Sequence, residues 1–157
     1  MTTPEQRLDQ LGIVLPEGPA PAASYVPFMQ SGTLVFTAGQ LATSDGELVR
    51  TGRLGDGLDV EDGVECARQC AINILAQLKT ALGDLQRVRR VVKVTVYVAS
   101  TPDFVRQHLV ANGVSELIGD VLGDAGRHAR SAVGVTSLPL GSPVEAEAIV
   151  KIDGEDR

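Results

Sequence analysis

The sequence predicts an α+β domain in which a mixed β-sheet carries two long helices on one face. Three observations predict it. Apolar residues recur at helical spacing over roughly 60–82 and again over about 103–122, while residues 88–99 alternate β-branched with polar side chains as a half-buried strand does. Short strand-like runs are interspersed with these segments, giving the order helix, β, β, β, α, β, α, β, β with no repeat, heptad run or low-complexity tract.

The first element is short. Thr3-Pro4-Glu5-Gln6 has an N-cap residue, a proline at the first helical position and a glutamine to close a capping box, so a helix follows over roughly 4–11 with Leu8 and Leu11 on one face. Pro16, Gly18, Pro19 and Pro21 then break the chain. Residues 1–22 therefore read as an appended helix and connector, and 23–157 as a single domain. Between Tyr25 and Gln40 two short strands flank Gln30-Ser31-Gly32-Thr33, the second being Leu34-Val35-Phe36-Thr37. The stretch 43–63 is rich in Gly and Asp, with one strand at 47–50.

Val64, Ala67, Ala71, Ile74, Leu75, Leu78 and Leu82 form the apolar face of the helix over 60–82, which Gly83 ends. In the strand over 88–99, Val92, Val94, Val96 and Val98 take one face and Lys93, Thr95 and Tyr97 the other. Thr101-Pro102-Asp103 supplies the break and cap for the helix over 103–122, which ends at Gly123–Gly126. The last two strands, 130–137 and 144–152, lie around Leu138-Pro139-Leu140-Gly141-Ser142-Pro143.

Composition narrows the function classes. The chain has 157 residues, a formal charge of −6, no Trp, two Tyr and three Phe, so it offers neither the basic surface nor the stacking platform of a nucleic-acid binder. Nucleic acid is disfavoured as a partner. No run reaches the ~18 apolar residues of a membrane span, and the start is polar where a signal peptide is basic and then apolar; a cytoplasmic location is expected. A core of small aliphatics with 3% aromatics gains little area per residue, which hints at apolar surface buried between subunits.

Most candidate chemistry has a plain structural reading. Cys66 and Cys70, four apart on a helix, fit neither a redox pair nor a disulfide framework and are expected to be buried and reduced. The acids from Asp56 to Asp62 lack calcium-loop spacing and sit at a helix N-terminus, where the dipole favours them. His108 and His128 lie on different elements without ligand spacing, so no metal is expected. No phosphate-binding glycine loop or nucleophile elbow is present. Arg87, Arg89, Arg90 and Lys93 read as the solvated start of a strand.

The C-terminal pair of strands is less ordinary. Arg130 opens a strand among small residues, and Glu145 and Glu147 share one face of the last strand, opposite Val144, Ala146, Ala148 and Val150. Such an arginine suits a ligand carboxylate, and it serves equally as half of a structural Arg–Glu pair.

The segment His128-Ala129-Arg130-Ser131-Ala132-Val133-Gly134-Val135, followed by Ser137-Leu138-Pro139 and Val144-Glu145-Ala146-Glu147-Ala148-Ile149, resembles the signature of the reactive-intermediate deaminase family, RidA or YjgF. The resemblance extends to Tyr25-Val26, Ala38-Gly39-Gln40 and the run from Val91 to Val98 before Asp103-Phe104, and covers about residues 23–152. It implies a chorismate-mutase-like fold assembled as a homotrimer, with clefts between subunits. It further implies hydrolysis of 2-imino acids and their enamine tautomers to 2-keto acids and ammonia, with no metal or organic cofactor. Arg130 matches the carboxylate-binding arginine and Glu145 the water-positioning glutamate. Tyr25, Gly39, Asn112 and Ala132 match cleft positions.

Two departures bear on substrate preference. The best-studied deaminases have a serine where this chain has Ala38 and a cysteine where it has Ala132, so the cleft loses two polar side chains. The longer N-terminus points to a subgroup with a different cleft rim. If strands 130–137 and 144–151 formed a simple hairpin, Glu145 would lie opposite residue 135, roughly 16 Å along the strand from Arg130, so the two would meet only across a subunit boundary. The rival expectations are a trimeric carboxylate-binding module without turnover and, against the charge, the ribonuclease activity with which the family has been labelled.

Overall fold

The computed structural model describes residues 1–18, 20 and 23–154. Helix α1 (Pro4–Gln10) begins as its capping box predicts: the Gln6 N–H donates to Thr3 Oγ1 at 3.2 Å and the Thr3 N–H to Gln6 Oε1 at 2.9 Å. Of the predicted breakers that follow, Pro19 and Pro21 lie outside the described residues. Strands β1 (Phe28–Ser31) and β2 (Leu34–Thr37) pair antiparallel around Gly32, whose φ of +60° is the left-handed conformation the turn needs.

Five two-residue strands occupy the Gly/Asp-rich stretch: β3 (Gln40–Leu41), β4 (Thr43–Ser44), β5 (Glu47–Leu48), β6 (Arg53–Leu54) and β7 (Gly57–Leu58). Only β5 was legible in the sequence, because a two-residue strand is too short to show alternation. Helix α2 (Val60–Leu82) starts at a reciprocal Asp59–Asp62 capping box and stops at Gly83. Two of the acids read as capping residues therefore cap.

Strand β8 (Val88–Ala99) follows, then helix α3 (Gln107–Leu122), β9 (Ala129–Val135) and β10 (Val144–Ile152). Helix α3 starts at Gln107, four residues later than expected. The Thr101 N–H donates to Leu54 O and the Phe104 N–H to Thr101 O, which holds this stretch as a turn, and Phe104 is buried in the core. Tertiary contacts override the Thr-Pro-Asp cap signal.

The main sheet runs β1-β2-β10-β8-β9, with β3 also pairing to β10. This is the α+β arrangement predicted, a mixed sheet with the two long helices on one face. The expected hairpin of the last two strands does not form. Strand β9 is reached from β8 through α3 and lies parallel to it on one edge, while β10 runs antiparallel along the other edge of β8 from Val144↔Val98 to Ile152↔Val88. The link between them rounds the end of β8, where the Ser100 N–H donates to Val135 O and the Ala99 N–H to Pro143 O.

The helix-covered face of the sheet supplies the core: Val35, Val94, Val96, Val98, Val144, Ala146, Ala148 and Val150 are buried with Ile74, Leu75 and Leu78 of α2 and Val114, Leu117 and Ile118 of α3. The two helices approach closely at Gly113, where a Cβ would collide with the Val64 carbonyl and Ala67. Cys66 and Cys70 are buried and unbridged, and burial pushes the Cys66 thiol up to about 11, so both pack as small apolar residues.

One face assignment is corrected. Val92 is 41% exposed, and Val91 replaces it in the core at 1%. The register shift between Ile149 and Val150, opposite this point of β8, inserts the extra residue that reverses the phase. The other face of the sheet carries no helix and presents Met29, Phe36, Tyr97, Val133 and Ile149. Among the described residues no helix is long and apolar enough to cross a membrane.

Candidate functional site

Arg130 stands in register with Val94, so its side chain leaves β9 on the helix-covered face, toward α3. Its Nη1 donates to Asn112 Oδ1 at 3.0 Å and to Ser115 Oγ at 3.2 Å, and its Nη2 to the His108 carbonyl at 3.0 Å. Asn112 and Ser115 are three apart on α3 and His108 lies one turn earlier, so one helix face supplies every acceptor. None is anionic. Among the described residues Arg130 makes no ion pair, so the structural Arg–Glu pairing left open by the sequence does not occur.

A guanidinium has five N–H donors, and three are engaged here. The Nε–H and the second Nη2–H remain, and no anion among the described residues offsets the delocalised positive charge. Ala132, two residues along the same face, packs against the core and adds no polar atom. Asn112 thus holds the arginine.

Glu145 points the other way. It pairs with Tyr97 on the face without helices, and its carboxyl rests against Gly39, where a Cβ would come within 2.8 Å of Glu145 Cδ. A side chain at Gly39 would displace the Glu145 carboxyl. Burial, and then the Glu147 carboxylate beside it, raise the Glu145 pKa above its ordinary 4.5. Glu147 is itself occupied, accepting from Tyr97 Oη at 2.8 Å. Gly39 and Tyr25 also line a cavity of about 610 Å³ with Gln40, Leu41 and Gln69, one wall of which is Gly12, Ile13, Val14, Pro16 and Glu17.

The expected site residues therefore fall into two groups: Tyr25, Gly39 and Glu145 at one edge of the sheet, and Asn112, Arg130 and Ala132 at the other. The observed register puts Glu145 level with Val133 by way of Tyr97, three residues from Arg130 or roughly 10 Å along the strands. That replaces the 16 Å of the hairpin estimate. The two side chains also leave opposite faces and lie two strands apart, so the chain does not bring them together.

Residues 16–152 match the family model described as Endoribonuclease L-PSP. The chain belongs to the endoribonuclease L-PSP family. A relative within reach of this family match, Protein TCP17 of Trypanosoma cruzi, is 48% identical over 93% of this chain and 92% of its own. The crystal structure of Atu1372, a protein with unknown function from Agrobacterium tumefaciens, is 51% identical over 96% of this chain and 92% of that chain, with a TM-score of 0.89. The crystal structure of E. coli TdcF with bound serine is 26% identical over 87% of this chain and 94% of that one, with a TM-score of 0.64. RidA and YjgF proteins also match, as the C-terminal motif implied.

Two residues beside Arg130 are not legible as its neighbours in the sequence. Ser115 bonds Arg130, and His128 Nε2 lies 2.9 Å from Ser115 Oγ. The available signal was spacing: Ser115 shares a helix face with Asn112, and His128 lies two residues before Arg130. Among the described residues no group of His, Cys, Asp and Glu could hold a metal ion.

Proposed function

We propose that this L-PSP family member hydrolyses 2-imino acids, reached also from their enamine tautomers, to 2-keto acids and ammonia without a cofactor. The observation that carries the reading is the Arg130 guanidinium, fixed by three neutral acceptors on α3 and without an acid partner among the described residues. A planar fork immobilised in that way is prepared for a carboxylate. TdcF, of the same fold, was crystallised with serine, a small molecule bearing the carboxylate that Arg130 would hold.

With the carboxylate on Arg130, the adjacent C=N⁺ carbon is fixed for attack. Water adds to it as Glu145 takes one of the water's protons; the C–O bond forms and the π electrons of C=N⁺ move to nitrogen. Glu145 then returns the proton to that nitrogen; an oxygen lone pair of the hydroxyl forms the C=O bond as the C–N bond breaks and ammonia leaves, and the ionised Glu145 takes the hydroxyl proton and passes it to water. The raised pKa of Glu145 suits a group that must both accept and return a proton. Arg130 comes from one subunit and Glu145 from its neighbour in a homotrimer, with Tyr25 and Gly39 lining the glutamate side and Asn112 and Ala132 the arginine side.

Ammonia release from freshly generated 2-iminobutanoate tests this. Arg130→Ala is expected to lower kcat/KM by about 10²-fold or more and Glu145→Gln to lower kcat by about 10²–10⁴-fold. Binding of 2-oxobutanoate without any ammonia release by the wild-type chain would replace the enzyme with a carboxylate-binding module. The −6 charge weighs against RNA as substrate.

A further inference from the structure

His128 carries a hydrogen-bond chain that the reaction scheme leaves unexplained. Its Nδ1 lies 2.6 Å from the Gly126 carbonyl oxygen, which can only accept, so Nδ1 bears the proton. In the neutral ring Nε2 then has a lone pair and no hydrogen. Ser115 Oγ, 2.9 Å away, must donate to it, and the oxygen lone pairs of Ser115 are left to accept from Arg130 Nη1 at 3.2 Å. Every bond in the series runs in one direction: Arg130 to Ser115, Ser115 to His128, His128 to the Gly126 carbonyl.

The anchor of this series is stiff. Gly126 lies in the 3₁₀ turn Gly123–Gly126 and is buried, and a Cβ there would strike the Ile118 carbonyl of α3. The turn is therefore packed directly onto the helix that also carries Ser115. A serine hydroxyl alone rotates freely and can donate to water as readily as accept from arginine. With its proton committed to His128, it is fixed as an acceptor.

We propose that Ser115 and His128 are positioning residues for Arg130: the one-way series from Arg130 through Ser115 and His128 to the Gly126 carbonyl locks the guanidinium so that its Nε–H and free Nη2–H face the substrate carboxylate. This rests on the proposed role of Arg130 and extends it to two residues that touch no substrate atom. Asn112 and the His108 carbonyl restrain the same end of the fork, so loss of the series loosens the arginine without releasing it.

Two measurements test it. In ¹⁵N spectra of the folded protein at neutral pH, His128 is expected as the Nδ1–H tautomer, with an Nε2 signal that shifts in Ser115→Ala; the Nε2–H tautomer overturns the series whatever the protein's activity. In kinetics, Ser115→Ala and His128→Leu are expected to raise KM for 2-iminobutanoate, and Kd for 2-oxobutanoate, by about tenfold with kcat changed less than about threefold. Ser115→Thr, which keeps the hydroxyl, and His128→Gln, whose amide oxygen can accept from it, are expected to recover most of the loss. Equal losses in the conservative and disruptive variants overturn the proposal, as does unchanged KM in Ser115→Ala while Arg130→Ala remains defective. If 2-oxobutanoate binding survives Arg130→Ala, the carboxylate role of Arg130 fails and the positioning role fails with it.

Discussion

Glu145 and Arg130 illustrate two ways a fold prepares a charged side chain. Arg130 is held by neutral acceptors that leave its charge uncompensated, and Glu145 is biased toward its protonated form because it is half-buried beside another acid. The sign of the second effect gives a pH prediction. A base acts when ionised, so the acid limb of kcat/KM is expected above the ordinary carboxylate value of 4.5. Glu147→Gln removes the neighbouring charge while keeping an acceptor for Tyr97, so it should move that limb to lower pH. A pH–rate profile in which the limb stays or rises would remove Glu147 as the cause. At this scale the sequence disclosed Arg130 and Glu145 through residue type and motif. It did not disclose Ser115 and His128, whose meeting depends on how α3 lies against the turn before β9.

At the scale of elements, the ends governed by local chemistry were legible and those governed by contacts were not. The boxes at Thr3 and Asp59 and the left-handed Gly83 are local, and α1 and α2 start and stop where they dictate. The start of α3 was misplaced because the turn over Thr101–Phe104 is held by β6 and the core. The N-terminal helix shows the two levels cooperating. Its capping is local, yet its place comes from Leu8 in the hydrophobic core and from Glu5, whose Oε1 accepts from Lys79 Nζ at 2.8 Å and from the Leu85 N–H at 2.9 Å. Leu8→Ala is expected to cost about 2–4 kcal/mol in denaturant unfolding. A loss below about 0.5 kcal/mol would mean that α1 contributes little to the fold.

Across the whole molecule, Arg130 and Glu145 leave opposite faces of one sheet. The face without helices is correspondingly apolar, with Phe36 at 40% and Val133 at 43% exposure. If sites are shared between neighbouring subunits, Arg130→Ala and Glu145→Ala chains that are each inactive should restore one another when unfolded and refolded together. In an equal random mixture about a quarter of the sites receive both intact residues, so about a quarter of wild-type activity is expected. No recovery, with mixed trimers verified by mass, would place a complete site in each protomer.

The sequence by itself determined the α+β class, the caps, the two long helices and the residue types of the site, because periodicity, capping and motif spacing act over a few residues. Tertiary structure alone decided that β9 runs parallel to β8 with β10 on the opposite edge, that Val91 displaces Val92 from the core, and that Arg130 and Glu145 diverge. Strand pairing and bulge phase follow from competition among distant segments for the same sheet edge, and no stretch of sequence contains its competitors.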